Sequence, residues 1–145
     1  MRFLVQRVSR ASVRVDNETV GSIGAGLLVL IGIAAADTKA QADFLASKLV
    51  NLRIFEDANG KMNLSALEVK AELLLVSQFT LYGDCRKGRR PSFDAAAPPE
   101  AARKLYEYVT ERIRETGLTT RTGVFQAHME VALINDGPVT LLLES

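Results

Sequence analysis

The chain has 145 residues, a length that favours one domain, residues 1–145, with a core of its own. Its formal net charge of +1 excludes a general electrostatic grip on nucleic acid, so any RNA contact has to be local. One cysteine, Cys85, excludes an internal disulfide and a four-cysteine zinc site, and it fits a reducing, cytoplasmic setting.

Charge follows Met1 too soon for a signal peptide, and the apolar run 26–36 is well short of the about 20 residues a membrane helix needs. Residues 2–8 and 11–15 alternate apolar with polar and predict two strands; Asp16-Asn17 predicts a turn before a strand over 19–23. Gly24-Ala25-Gly26 leads into a buried strand over 27–33. Thr38 with Gln41 has the form of a capping box, and Ala42, Leu45, Leu49 and Leu52 follow at helical spacing. Asn59-Gly60 marks a hairpin turn after residues 53–57. Leu73-Leu74-Leu75-Val76 is apolar on both faces, as a central strand would be, and runs on into Ser77-Gln78-Phe79-Thr80. A loop with Gly83, Gly88 and Pro91 precedes a helix over 99–116 with the apolar stripe Ala102, Leu105, Val109 and Ile113. The tail, 119–145, has strand composition interrupted by Asn135-Asp136-Gly137-Pro138, which reads as a hairpin turn. The pattern predicts a layered α/β domain, mostly antiparallel sheet with two main helices packed on one side.

Familiar catalytic sets are missing. His128 is the single histidine and lies far in sequence from Cys85, with no flanking motif to support a Cys–His pair. No cluster has metal-ligand spacing, and no glycine-rich phosphate loop is present. Two features remain. Polar residues Ser77, Gln78 and Thr80 follow a core strand, where they mark either its exposed end or a substrate cradle; if extended, Gln78 and Thr80 share one face and Ser77 and Phe79 the other. Arg86, Lys87, Arg89 and Arg90 form the densest positive run, an ordinary solvated loop or a holder of a few phosphates.

Five segments in order carry a resemblance: Gln6-Arg7-Val8 with Ala11-Ser12-Val13, Gly60-Lys61-Met62-Asn63, Ser77-Gln78-Phe79-Thr80-Leu81, Gly88-Arg89-Arg90-Pro91-Ser92-Phe93, and Asn135-Asp136-Gly137-Pro138-Val139-Thr140. Over essentially its whole length the chain resembles the D-aminoacyl-tRNA deacylases, formerly D-Tyr-tRNA deacylases. The resemblance implies hydrolysis of the ester in D-aminoacyl-tRNA, without cofactor or metal. The implied partners are a second copy of the chain and the aminoacylated 3′ end of tRNA, with no DNA and no membrane. It further implies that Ser77, Gln78, Phe79 and Thr80 of one subunit floor the pocket, while Gly137 and Pro138 of the other reach across with a cis peptide bond. Arg7 is implied to brace that bond, and Phe125 and Met129 to contact the terminal adenosine. Gln126 and His128 depart from the family pattern, which has small residues and an acid there. The expected chemistry is attack of water on an activated ester, with backbone N–H groups near Phe79 and Thr80 stabilising the oxyanion. Thr80 is the alternative nucleophile. Two other readings stand beside this one: an editing module that removes a wrong L-amino acid, and an RNA-binding module without catalysis.

Overall fold

The computed structural model describes all 145 residues, and its sheet is organised around one 14-residue strand, β1 (Arg2–Val15). The two strands expected over 2–8 and 11–15 are therefore one, because the ladder passes through Ser9 with a register shift and does not end there. The first half of β1 pairs antiparallel with β3 (Gly26–Gly32), and its second half pairs antiparallel with β2 (Glu18–Ile23). Along its other edge runs β8 (Glu130–Glu144), antiparallel over almost the whole length. β6 (Glu72–Ser77) lies parallel to β3, and β7 (Thr120–Thr122) parallel to β6. Each parallel pair is joined by a crossover that contains a helix, as parallel geometry requires.

The first crossover holds α1 (Lys39–Asn51), the hairpin of β4 (Arg53–Glu56) and β5 (Met62–Ser65), and the one-turn α2 (Ala66–Val69). The second holds α3 (Pro99–Arg114). The Thr38–Gln41 capping box is formed, and α1 buries Ala42, Leu45 and Leu49 with Ala46 and Val50, while Leu52 is its half-buried C-cap. Each fully buried leucine contributes roughly 2 kcal/mol. A second capping box, Ser65 with Glu68, starts α2. Its hydrogen bond from the Ser65 hydroxyl holds the Glu68 carboxyl below the usual carboxylate range.

α1 and α3 cover the same face of the sheet, and their buried residues join Phe3, Val5, Leu27, Val29, Leu73 and Leu75 in one core. The opposite face is covered by the sheet itself. The second half of β1, β2 and the start of β8 curl over β3 and β6, so that Val8, Ala11, Val13 and Ile23 pack on Leu28, Leu74 and Val76. At this closure Gly21 comes so near β7 that a Cβ there would lie 2.7 Å from the Thr122 carbonyl oxygen. The expected layered α/β domain is present, with a sheet curled into a barrel-like form.

Two local expectations fail. β6 ends at Ser77, and Phe79–Tyr82 forms a single 3₁₀ turn, so Gln78 and Thr80 do not share the face of an extended strand. The chain turns because the N–H of Leu81 bonds back to the Gln78 carbonyl and that of Gly83 to the Thr80 carbonyl. Nor is Asn135–Pro138 a hairpin. β8 keeps its direction on both sides of it: Gln6 faces Thr140 and Val8 faces Asn135, leaving residues 136–139 to bulge out opposite Arg7.

Candidate active site

Because β3 and β6 are parallel, their carboxyl ends finish together, with Ile31 opposite Ser77. Open α/β sheets bind ligands at such ends. A cleft of about 770 Å³ opens there, lined by Ser77, Gln78 and Phe79 on one side and by Phe125, Gln126, His128 and Met129 on another. Phe93, Pro98 and Pro99 complete the wall, and Pro98 and Pro99 also open α3, which has no side-chain cap. The positive end of the α3 dipole thus faces the cleft.

The 3₁₀ turn determines what the cleft offers. Its i→i+3 pattern uses the N–H groups of Leu81 and Gly83 but has no internal acceptor for those of Phe79 and Thr80. The Thr80 hydroxyl accepts a hydrogen bond from the Gln78 side-chain amide. No carboxylate or imidazole is bonded to that hydroxyl, and Thr80 is not among the lining residues. Phe79 is 54% exposed and stacks edge-on against Phe93 with ring centroids 5.0 Å apart, a contact that fixes the loop after β6 onto the cleft wall.

Gly137 and Pro138 lie elsewhere. Their bulge faces Arg7, which pairs with Leu27, four residues before Ile31 on β3. That places them about 13 Å away along the strands, plus three strand spacings of about 4.8 Å. Both are exposed, and the bond between them is cis. The buried Arg7 guanidinium holds the bulge: Nη1 donates to the Ile54 carbonyl at 2.7 Å, Nε to the Asp136 carbonyl at 3.1 Å, and Nη2 to Glu56 at 3.5 Å. Asn135 closes its neck, accepting from the Val139 N–H at 2.8 Å and donating to the Thr140 hydroxyl at 2.8 Å.

The basic loop is exposed and outside the cleft lining. Arg86 is already engaged, its guanidinium 2.6 Å from the Asp84 carboxylate, whose pKa that contact lowers. Lys87, Arg89 and Arg90 make no ion pair. His128 lines the cleft and the exposed Cys85 does not. Sequence reasoning missed the apolar wall, Ile31, Ile33, Phe93 and Pro98-Pro99, whose one legible signal is the proline pair at the start of a helix.

Residues 4–144 match the family model described as D-Tyr-tRNA(Tyr) deacylase. The chain is 60% identical, over all of its length and 94% of the relative's, to a D-aminoacyl-tRNA deacylase of Geotalea uraniireducens (strain Rf4). It is 58% identical to one of Thermosipho africanus (strain TCF52B), over all of this chain and 97% of that one. Among solved structures, a "c-Myc DNA Unwinding Element Binding Protein" superposes with a TM-score of 0.94 at 44% identity, covering 100% of this chain and 99% of that one. The protein in the "Structural Analysis of a probable eukaryotic D-amino acid tRNA deacylase" shares the fold, with a TM-score of 0.84 at 18% identity over 98% of this chain and 97% of that one. With a family model matched from near one end to near the other and relatives close to 60% identical, this chain belongs to the D-Tyr-tRNA(Tyr) deacylase family.

Proposed function

We propose that the protein hydrolyses the ester between a D-amino acid and the 3′-terminal ribose of tRNA, acting in the cytoplasm as a homodimer whose sites are shared between two copies. The observation that carries this reading is the 3₁₀ turn, which leaves the N–H groups of Phe79 and Thr80 without an acceptor, with Phe79 lining a cleft that also holds Phe125 and Met129 and Thr80 next to it in the chain. Water adds to the ester carbonyl carbon, the carbonyl oxygen gains negative charge, and those two N–H groups stabilise it. The tetrahedral centre then collapses, the bond to the ribose oxygen breaks, and that oxygen takes up a proton. An ester is activated enough that positioning and oxyanion stabilisation suffice, and a neighbouring ribose hydroxyl of the substrate accepts the proton that the attacking water loses while passing its own to the departing ribose oxygen. The adenosine lies against Phe125 and Met129, and Lys87, Arg89 and Arg90 hold tRNA phosphates.

Chirality is sorted by shape. With amino group and carbonyl fixed, the two mirror forms differ only in where the side chain points. The exposed Gly137-Pro138 bulge of a second copy, held rigid by Arg7 and Asn135, serves as the wall that an L side chain strikes. Glycine, with no side chain, passes the same wall, so glycyl-tRNA is also a substrate. A thousandfold preference needs about 4 kcal/mol of differential barrier, the size of a steric clash plus a lost hydrogen bond. The second copy seats on the free edge of β8, where Ile134, Leu141 and Leu142 are exposed on either side of the bulge. No helix is long and apolar enough to cross a membrane.

The test is release of tyrosine from D-Tyr-tRNA and from L-Tyr-tRNA by the purified protein. Fast release of the D form alone is expected; equal rates would exclude a chiral wall, and preference for the L form would make the protein an L-editing module. The solved relative named for binding a DNA unwinding element favours a second reading, nucleic-acid binding without cleavage. Retention of nucleic acid in a gel shift with both esters intact would support it.

A further inference from the structure

α3 carries four basic residues, and three of them have acidic partners: Lys104 with Glu100, Arg112 with Asp43 and Glu115, and Arg114 with Glu111. Arg103 has none, although Glu107 stands one turn along the same helix, the spacing at which such pairs ordinarily form. Its guanidinium turns away and lies over the Phe125 ring, 4.8 Å from the centroid, and Nη2 donates to the Gln126 side-chain oxygen at 3.3 Å. Gln126 adopts φ +65, the left-handed region, which few residues other than glycine and asparagine occupy. In that conformation the chain turns at Gln126 while its side chain meets Arg103. Phe125 and Gln126 both line the main cleft, and Phe125 also walls the smaller hollow of about 230 Å³ on whose rim Arg103 stands.

An exposed arginine held over an aromatic ring, oriented by one amide contact and with no carboxylate partner, keeps most of its five N–H donors free. Such a fork matches a phosphate. We propose that Arg103, steadied by Phe125 and Gln126, is a positioning residue that grips the tRNA phosphate on the 5′ side of the terminal adenosine. This rests on the deacylase reading, in which the adenosine lies against Phe125; the phosphate joined to its ribose then comes to the rim beside that ring. Arg103 anchors the 3′ end at the rim equally in the bound substrate and in the transition state, and it takes no part in the bond cleavage.

The experiment compares two substrates, D-Tyr-tRNA and 3′-O-D-tyrosyl-adenosine, which carries the same ester and no phosphate. Arg103→Ala is expected to raise KM for D-Tyr-tRNA about tenfold with kcat unchanged, and to lower the slope of log(kcat/KM) against log[salt] by about 0.7. It should leave kcat/KM on 3′-O-D-tyrosyl-adenosine where it was, and Arg103→Lys should recover most of the loss on tRNA. Equal losses on both substrates would overturn the assignment, since Arg103 would then act only by packing on Phe125. So would an unchanged KM and salt slope on tRNA. Wild-type protein that leaves both esters intact would remove the deacylase reading itself, an outcome distinct from either of these.

Discussion

Thr80 is the side chain at the site with the chemistry of a nucleophile, yet its hydroxyl serves as acceptor for the Gln78 amide, and no base is bonded to it. Nucleophilic catalysis by a hydroxyl needs a partner to take its proton. Thr80→Ala is therefore expected to cost at most about tenfold in kcat on D-Tyr-tRNA, the worth of one ordinary hydrogen bond. Loss of all turnover in a folded variant that still binds substrate would make Thr80 the nucleophile. Tyr106 presents the converse case, a residue the sequence did not single out. Its hydroxyl is buried and donates to the Leu75 carbonyl at 2.8 Å, and burial pushes its pKa up to about 12. A folded-state pKa above the unfolded value means that the hydroxyl's contribution is complete below pH about 10 and is lost as pH rises from there toward 12. Tyr106→Phe should lose about 1 kcal/mol at pH 7, because the Leu75 carbonyl keeps its bond from the Gly123 N–H. Between pH 10 and 12 the variant should fall in stability less steeply than the wild type, and urea unfolding at both pH values checks the crossing. The stripe read from the sequence chose Leu105, which is only half-buried, over Tyr106; helical spacing allows both, and the deciding partner is a carbonyl on β6.

Turn chemistry at Asn135-Asp136-Gly137-Pro138 was legible, but its meaning within a strand was not. Glycine and proline there do break the ladder, and a hairpin is the local answer. The chain resumes its direction because Arg7, on the neighbouring strand and far away in sequence, captures the Asp136 carbonyl, and because Asn135 and Thr140 tie the two ends. The same limit applies at Ser77–Thr80, where a polar run after a core strand located the site while the 3₁₀ turn that frees its N–H groups depends on main-chain bonds no pattern displays. By contrast α1, with its capping box and leucine stripe, is governed by neighbours three and four residues apart and was readable. The bulge can be probed through its brace. Arg7→Met keeps much of the buried volume but leaves the Ile54 and Asp136 carbonyls without their donor, so about 2–4 kcal/mol of stability should be lost. Chemical denaturation measures this, and a loss below about 0.5 kcal/mol would show that the bulge holds its shape without the guanidinium.

At the scale of the molecule, the layered α/β arrangement followed from the order of strands and helices, whereas the curling of the sheet did not. Closure depends on β1 being continuous through Ser9 and on β8 following it, a long-range pairing that short windows of sequence divide into separate strands. That pairing also sets the most consequential distance in the protein, since it holds Gly137-Pro138 several strands away from the cleft at Ser77. One chain cannot bring its two halves of the proposed site together, and a two-fold pair can, because an isologous contact supplies each half from the opposite copy. Two variants separate the halves. Phe79→Pro deletes a proposed oxyanion donor at the first position of its turn, where proline is tolerated. Gly137→Ala puts a Cβ 2.8 Å from Val139 Cγ2 at φ +134, a conformation that alanine rarely adopts. Each alone should be nearly inactive on D-Tyr-tRNA. Unfolded together in equal amounts and refolded, they should form heterodimers as half of the pairs, each with one site built from two intact halves, and so regain about a quarter of wild-type activity. A mixture as inactive as its components, with mixed pairs demonstrated by mass spectrometry, would mean that each chain builds its site alone and that the wall sorting handedness has to be sought within it.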